Sequence, residues 1–259
     1  MKLHKSFIVS FTLLFCLMAT TKTLFAFTGD YLLLDSANAA YNKTNYTKAI
    51  GFYKDFIKQG IESAQAYYNL GNCYYKTGEY PKAILYYEKA EKLAPADADV
   101  QFNLQLANLK IVDKIPADAP LFIFSGWKKF ENKYTEKEWA IIFIVILCLS
   151  LLLFALYLTV SGILAKQLCF WSGLVIFFLS LFTFYIAHGQ YELLNAHDTA
   201  IVMTASVTVK GAPEEKATQL FVLHEGTKVS IVKTDGDWTE IKLPNGSQGW
   251  LNSTDITEI

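Results

Sequence analysis

Arginine is absent from this chain: all 23 basic residues are lysine. The planar fork that grips phosphates and guanine edges with paired hydrogen bonds is therefore missing, and nucleic acid is not an expected partner. Charge of one sign is lacking too, since 24 acidic residues leave a net charge of −1. Cysteine is scarce. Cys16, Cys148 and Cys169 lie in apolar runs and only Cys73 in a soluble stretch, which rules out an internal disulfide framework. Cys73 reads as a small buried helix residue; a redox thiol would want a nearby His or second Cys, and neither is present. The histidines (His4, His188, His197, His224) are scattered without metal-ligand spacing, no glycine-rich phosphate loop follows a strand, and no G-x-S-x-G stretch occurs. Glu214-Glu215 reads as part of a solvated loop. No cofactor, no metal and no enzymatic activity are expected.

Long apolar runs, in contrast, are plentiful. Lys2 and Lys5 precede Phe7–Ala19, too short to cross a bilayer and suited to a signal-peptide core, with a cleavage point after Ala26. Two uncharged blocks, about Trp139–Val160 and Leu168–Ala187, are long enough to span, and unpaired backbone amides in hydrocarbon require that they be helices. A short connector makes them a hairpin, so whatever precedes and follows the pair lies on one side of the membrane. The export signal directs both flanking regions to the periplasmic face of the bacterial inner membrane. Lys128, Lys129, Lys133 and Lys137 before the first span, against Lys166 in the connector, argue the other way. The signal is taken as dominant.

The stretch Ala64–Pro95 places bulky, small and turn residues at the offsets of two antiparallel helices. Tyr67, Leu70, Gly71 and Tyr74 share one face; Gly78 and Glu79 break the first helix; Ala83, Tyr87 and Ala90 line the second; Pro95 ends it. It resembles a tetratricopeptide repeat, with Tyr67 in place of the usual Trp. A spacing of 34 relates Tyr80 to Tyr46, Ala83 to Ala49, Tyr87 to Tyr53 and Gly71 to Ala37 upstream, and Asn69 to Asn103 and Leu70 to Leu104 downstream. The upstream copy, about Asp30–Ile61, is degenerate, with Ser36 for Leu70 and Ala40 for Tyr74. The downstream copy supplies one covering helix, about Ala98–Asp113. Such a unit is a binding scaffold. First helices line its concave face, where Asn38, Asn69, Asn72 and Asn103 either bond the backbone of an extended peptide or serve helix-to-helix contacts. Tyr68, Tyr75 and Lys76 are candidates for the same surface.

Beyond a link at 188–198 the pattern changes to period two. Ala200–Val202, Val207–Lys210, Lys228–Val232, Trp238–Leu243 and Gly249–Leu251 read as five short strands. Turns fall at Glu225-Gly226-Thr227, Asp235-Gly236-Asp237 and Pro244-Asn245-Gly246, with the longest loop at Lys210–Val222. The set Val207-x-Val209, Leu223-x-Glu225-Gly226-Thr227-x-Val229, Gly236-Asp237-Trp238 and Asn245-Gly246-x-x-Gly249-Trp250-Leu251 is similar to a bacterial SH3-like domain. That resemblance implies peptide binding, cell-wall peptides included. Trp238 and Trp250 either wall a ligand groove or complete the barrel core.

The expected architecture is thus multidomain: signal peptide 1–26, all-α tetratricopeptide superhelix 27–115, linker 116–138, two-helix transmembrane hairpin 139–187, linker 188–198, and small all-β SH3-like barrel 199–259. This order resembles the BatE-type proteins of the Bacteroides aerotolerance family. The resemblance implies a non-enzymatic scaffold of an envelope complex linked to oxygen or oxidative-stress tolerance. Its companions would be von Willebrand factor A-type membrane proteins and a MoxR-type ATPase system. An alternative is a cell-wall sensor or tether whose barrel binds peptidoglycan peptides.

Overall fold

The computed structural model describes residues 31–115 and 122–259; the expected signal peptide lies outside them. Five helices open the described chain: α1 (Tyr31–Asn42), α2 (Tyr46–Ile57), α3 (Ala64–Lys76), α4 (Tyr80–Leu93) and α5 (Ala98–Asn108). Their starts are written in the sequence. Side-chain oxygens of Asn45, Ser63 and Asp97 accept the first free amides of α2, α3 and α5, and Pro81 occupies the first turn of α4. The helices pack as successive antiparallel pairs around buried Ala37, Ala49, Tyr53, Leu70, Ala83 and Tyr87. Gly71 is required by this packing: a Cβ there would sit 2.7 Å from the Tyr87 ring.

Helix α6 (Phe122–Glu131) falls where the sequence predicts a linker. The two apolar helices follow, α7 (Glu136–Thr159) and α8 (Ile163–Asn195). Thr135 and Glu138 form a reciprocal capping box at the start of α7. Contacts of Phe143 with Phe184, Ser150 Oγ with Gly173 O (3.0 Å) and Gln190 Nε2 with Tyr134 O (3.2 Å) run in opposite chain directions, so the pair is an antiparallel hairpin. Small residues sit at the crossing, Gly173, Ser150 and Ser180 among them, as close packing in lipid favours. Ile141, Val145, Leu149, Leu152 and Leu156 recur every three or four residues and face outward uncovered. Both helices are long and apolar enough to cross a membrane. Helix α8 has 33 residues, about 50 Å against a hydrocarbon core of about 30 Å. It continues to Asn195 through most of the segment read from sequence as a link. No proline or turn cluster stops it there, and Glu192, Leu193 and Leu194 are good helix formers.

The C-terminal region is a seven-stranded antiparallel sheet in the order β3-β2-β6-β5-β4-β1-β7. The strands are β1 (Thr199–Val202), β2 (Ser206–Lys210), β3 (Gln219–His224), β4 (Lys228–Asp235), β5 (Trp238–Lys242), β6 (Gln248–Asn252) and β7 (Ile256–Glu258). Val202, Val207, Val209, Leu223, Val229, Ile241 and Leu251 fill its interior. Two strands exceed expectation. β3 occupies part of the loop predicted at Lys210–Val222, which shrinks to eight residues, Gly211–Thr218. β3 is an edge strand with Leu220 and Val222 exposed, so its burial does not alternate cleanly and period two is masked.

The helical stack and the barrel belong to one compact unit, and the apolar hairpin forms the other. Ile201 and Ile259 of the barrel are members of the stack's own buried cluster, with Met203 packed beside them. Ile115, expected to be the last residue of the superhelix, packs on the barrel core.

Candidate functional site

Helix α3 lies between α1 and α5, and the three first helices bring the predicted asparagines together in pairs. Asn38 Oδ1 accepts the Tyr53 hydroxyl (2.6 Å) and Asn69 Nδ2 (3.2 Å). One repeat later, Asn72 Oδ1 accepts the Tyr87 hydroxyl (2.7 Å) and Asn103 Nδ2 (2.9 Å). Each carbonyl thereby spends both lone pairs on brackets that tie a helix to its own partner and to the next repeat. Burial pushes the Tyr53 and Tyr87 hydroxyls well above the ordinary phenol range, so both remain donors.

A concave cavity of about 250 Å³ opens over the second bracket. Tyr41, Tyr68, Tyr75, Lys76 and Leu106 surround Asn72 and Asn103 there. Asn103 Nδ2 also donates to the Tyr68 hydroxyl (2.9 Å). Asn38 and Asn69 bracket each other outside this lining. The surface is half-buried and aromatic, with one exposed ammonium at Lys76. Cys73 is turned away into the core, and burial pushes its thiol up to about 12, which suppresses the thiolate needed for redox chemistry.

On the barrel, Trp238 and Trp250 do not join the interior cluster. Strand alternation sends Thr239, Ile241 and Leu251 inward and both tryptophans to the opposite face, where Glu240 pairs with Trp250 across the strands; Trp238 is half-buried there and Trp250 is buried. Lysines roof them: Lys210 Nζ stands 4.8 Å from the Trp238 ring centroid and Lys233 Nζ 5.0 Å from that of Trp250. Lys210 also reaches Glu215 at 2.6 Å, and Lys233 reaches Glu240 at 3.4 Å. Of the two rings, Trp238 is the one partly open to solvent, and Trp250 is covered.

Sequence reasoning missed the seam between stack and barrel. Asp113, expected at the end of the covering helix, accepts the His224 amide (2.7 Å) and Thr227 hydroxyl (2.8 Å) on Oδ2, and faces His224 Nδ1 at 2.9 Å on Oδ1. Burial alone would raise the Asp113 carboxyl; the bonds from His224 and Thr227 outweigh it and hold the group below its ordinary value. The buried Glu88 carboxylate pairs with Lys228 at 2.6 Å. Lys92 Nζ donates to Ala196 O (2.7 Å) and Ile259 O (3.2 Å). Gly226 turns at φ +87° directly over Ile111, where a Cβ would sit 2.4 Å from Cγ2. No spacing rule announces partners more than 100 residues apart.

Two families account for these parts. Residues 64–97 match the tetratricopeptide repeat family. Residues 205–257 match the bacterial SH3 domain family. No match is found among curated proteins. The chain is therefore multidomain: an all-α tetratricopeptide superhelix, a hairpin of two long apolar helices, and a small all-β SH3-like barrel. Tetratricopeptide and SH3 modules are typically non-catalytic interaction units, which makes protein binding the coarse function and the uncovered apolar hairpin a means of membrane association. Among the described residues, no group of three or more His, Cys, Asp or Glu side chains is placed to hold a metal ion.

Proposed function

We propose that the chain is a non-enzymatic, membrane-anchored adaptor whose tetratricopeptide groove holds a partner protein. The observation that carries this reading is the cavity over the Asn72–Asn103 bracket. With the Asn72 carbonyl committed to Tyr87 and Asn103, its Nδ2 hydrogens remain as donors for the carbonyls of an extended peptide, and Tyr68 and Tyr75 supply flat apolar walls. Asn38 and Asn69 extend the same row along the stack, and Lys76 offers a charge at its edge. Two crossings return the chain to the side on which it began, so stack and barrel work in one compartment, the periplasm. The order of modules supports placement in a Bat-type envelope complex linked to aerotolerance or oxidative stress, with von Willebrand factor A-type membrane proteins as partners. Co-purification of the full chain from membranes tests the groove. Asn72→Ala with Tyr75→Ala is expected to lose partners bound by wild type while keeping its circular dichroism; unchanged recovery removes the groove from this reading.

The partly open Trp238 ring beneath Lys210 favours a second reading, a cell-wall sensor or tether that binds peptidoglycan peptides through the barrel. Since barrel and stack share core residues, the test uses the whole chain in detergent. Retention on purified sacculi, lost in Trp238→Ala, supports it; no retention by wild type rejects it.

A further inference from the structure

A second cavity, of about 210 Å³, opens in the seam where the end of α4 meets the end of β7. That is smaller than sites for drug-sized ligands and suits a molecule the size of one amino acid. Its charged groups differ in how far they are already committed. Lys92 bonds two backbone oxygens, and His197 stands 3.7 Å from Glu258. Lys89 is half-buried in the same wall, yet no acceptor among the described residues lies within hydrogen-bond reach of its ammonium. Burial, then the neighbouring Lys92, push its pKa down, while Glu62 and Glu258 act the other way. A desolvated cation without a partner favours any carboxylate that can enter.

Across the opening stands Glu62, exposed at the rim, too far from Lys89 to form an ion pair with it. Its charge reaches inward: the Tyr67 hydroxyl is pushed up to about 12, first by burial and then by Glu62. Tyr67, Leu93 and Leu194 complete an apolar wall between the two charges. Opposite charges held apart beside an apolar surface match a ligand with both charges and an apolar side chain.

We propose that this seam cavity binds a small zwitterion of the apolar amino-acid class, with its carboxylate on Lys89, its ammonium toward Glu62 and its side chain against Tyr67, Leu93 and Leu194. The site shares no residue with the groove. Because stack and barrel both line it, an occupant stabilises their junction and raises the unfolding temperature of the unit.

Isothermal titration and thermal unfolding of the full chain in detergent micelles test this with four probes: leucine, leucine amide, N-acetyl-leucine and sodium phosphate. Saturable leucine binding with a raised unfolding temperature is expected. Each blocked analogue is expected to bind at least about tenfold more weakly, and phosphate not at all. Lys89→Gln weakens leucine binding at least about tenfold, and Lys58→Gln, at an exposed position outside the cavity, leaves it unchanged. Glu62→Gln, at an exposed position that does not threaten folding, weakens leucine but not N-acetyl-leucine. Absence of saturable leucine binding overturns the proposal, and so does phosphate or N-acetyl-leucine binding as tight as leucine's. Loss of partners in the groove variant with leucine binding retained separates this site from the adaptor reading.

Discussion

The two helical repeats carry the same polar brackets and diverge in the core of their first helices and on their outer faces. Tyr53 to Asn38 and Tyr87 to Asn72 are the same bond, 34 residues apart. Yet the downstream repeat fills its core with Leu70, Gly71 and Tyr74 where the upstream one has Ser36, Ala37 and Ala40. Their outer faces differ more. On α4, Ile84 and Glu88 are buried and Lys92 half-buried under the barrel; at the same offsets on α2, Ile50 is only partly buried, and Lys54 and Lys58 are exposed. The repeat that departs least from its family pattern is the one wedged between neighbours on both sides. The bracket is thus the common feature of the fold, and the tight Gly–Tyr fit belongs to the repeat that must also hold a second domain.

The sharpest way to break this comparison is Gly226→Ala in the barrel turn that presses on α4's repeat. It combines a clash on Ile111 with a left-handed backbone, and a loss of about 3 kcal/mol in denaturant unfolding of the full chain is expected. Gly71→Ala comes next, at about 2 kcal/mol, since Tyr87 is buried and bracketed and cannot yield; Ala37→Gly, the reverse change upstream, costs about 1 kcal/mol. Acid distinguishes the seam from the brackets. The Asp113 carboxyl is held below its ordinary value of 3.8, so its contribution is complete at neutral pH and is lost as pH falls from that value through the lowered one. An unfolding series from pH 6 to pH 2 is expected to show this loss in wild type and not in Asp113→Asn, already weaker by about 2 kcal/mol at neutral pH. The smallest effect has the opposite sign. Thr44 takes φ +57° at the offset where the downstream repeat has Gly78 at φ +81°, so Thr44→Gly is expected to stabilise by about 1 kcal/mol, read as a higher denaturation midpoint.

What the sequence makes legible follows from local rules. The 34-residue spacing exposes the helical pairs because each repeat solves the same packing problem. Gly236 and Gly246 mark two hairpin turns, and Gly226 the turn from β3 to β4, because all three adopt positive φ. The hairpin is legible from length and hydropathy. The groove asparagines are visible as a ladder, but not the direction of their bonds, which needs Tyr53 and Tyr87 in place. The seam is invisible for a physical reason: Asp113, Glu88 and Lys92 meet partners contributed from far along the chain, and neither helical nor strand periodicity encodes such a meeting. β3 escaped because an edge strand buries one side chain fully and exposes apolar neighbours, which reads as a loop.

The central claim, that the Tyr68–Asn72–Tyr75 cavity is where a partner protein docks, is tested most directly by placing a photo-crosslinking amino acid at Tyr75 and, as an outward control, at Leu32, and irradiating intact cells. Discrete adducts from position 75 that are absent from position 32 are the expected result. No adduct at 75, or the same pattern from both positions, contradicts it.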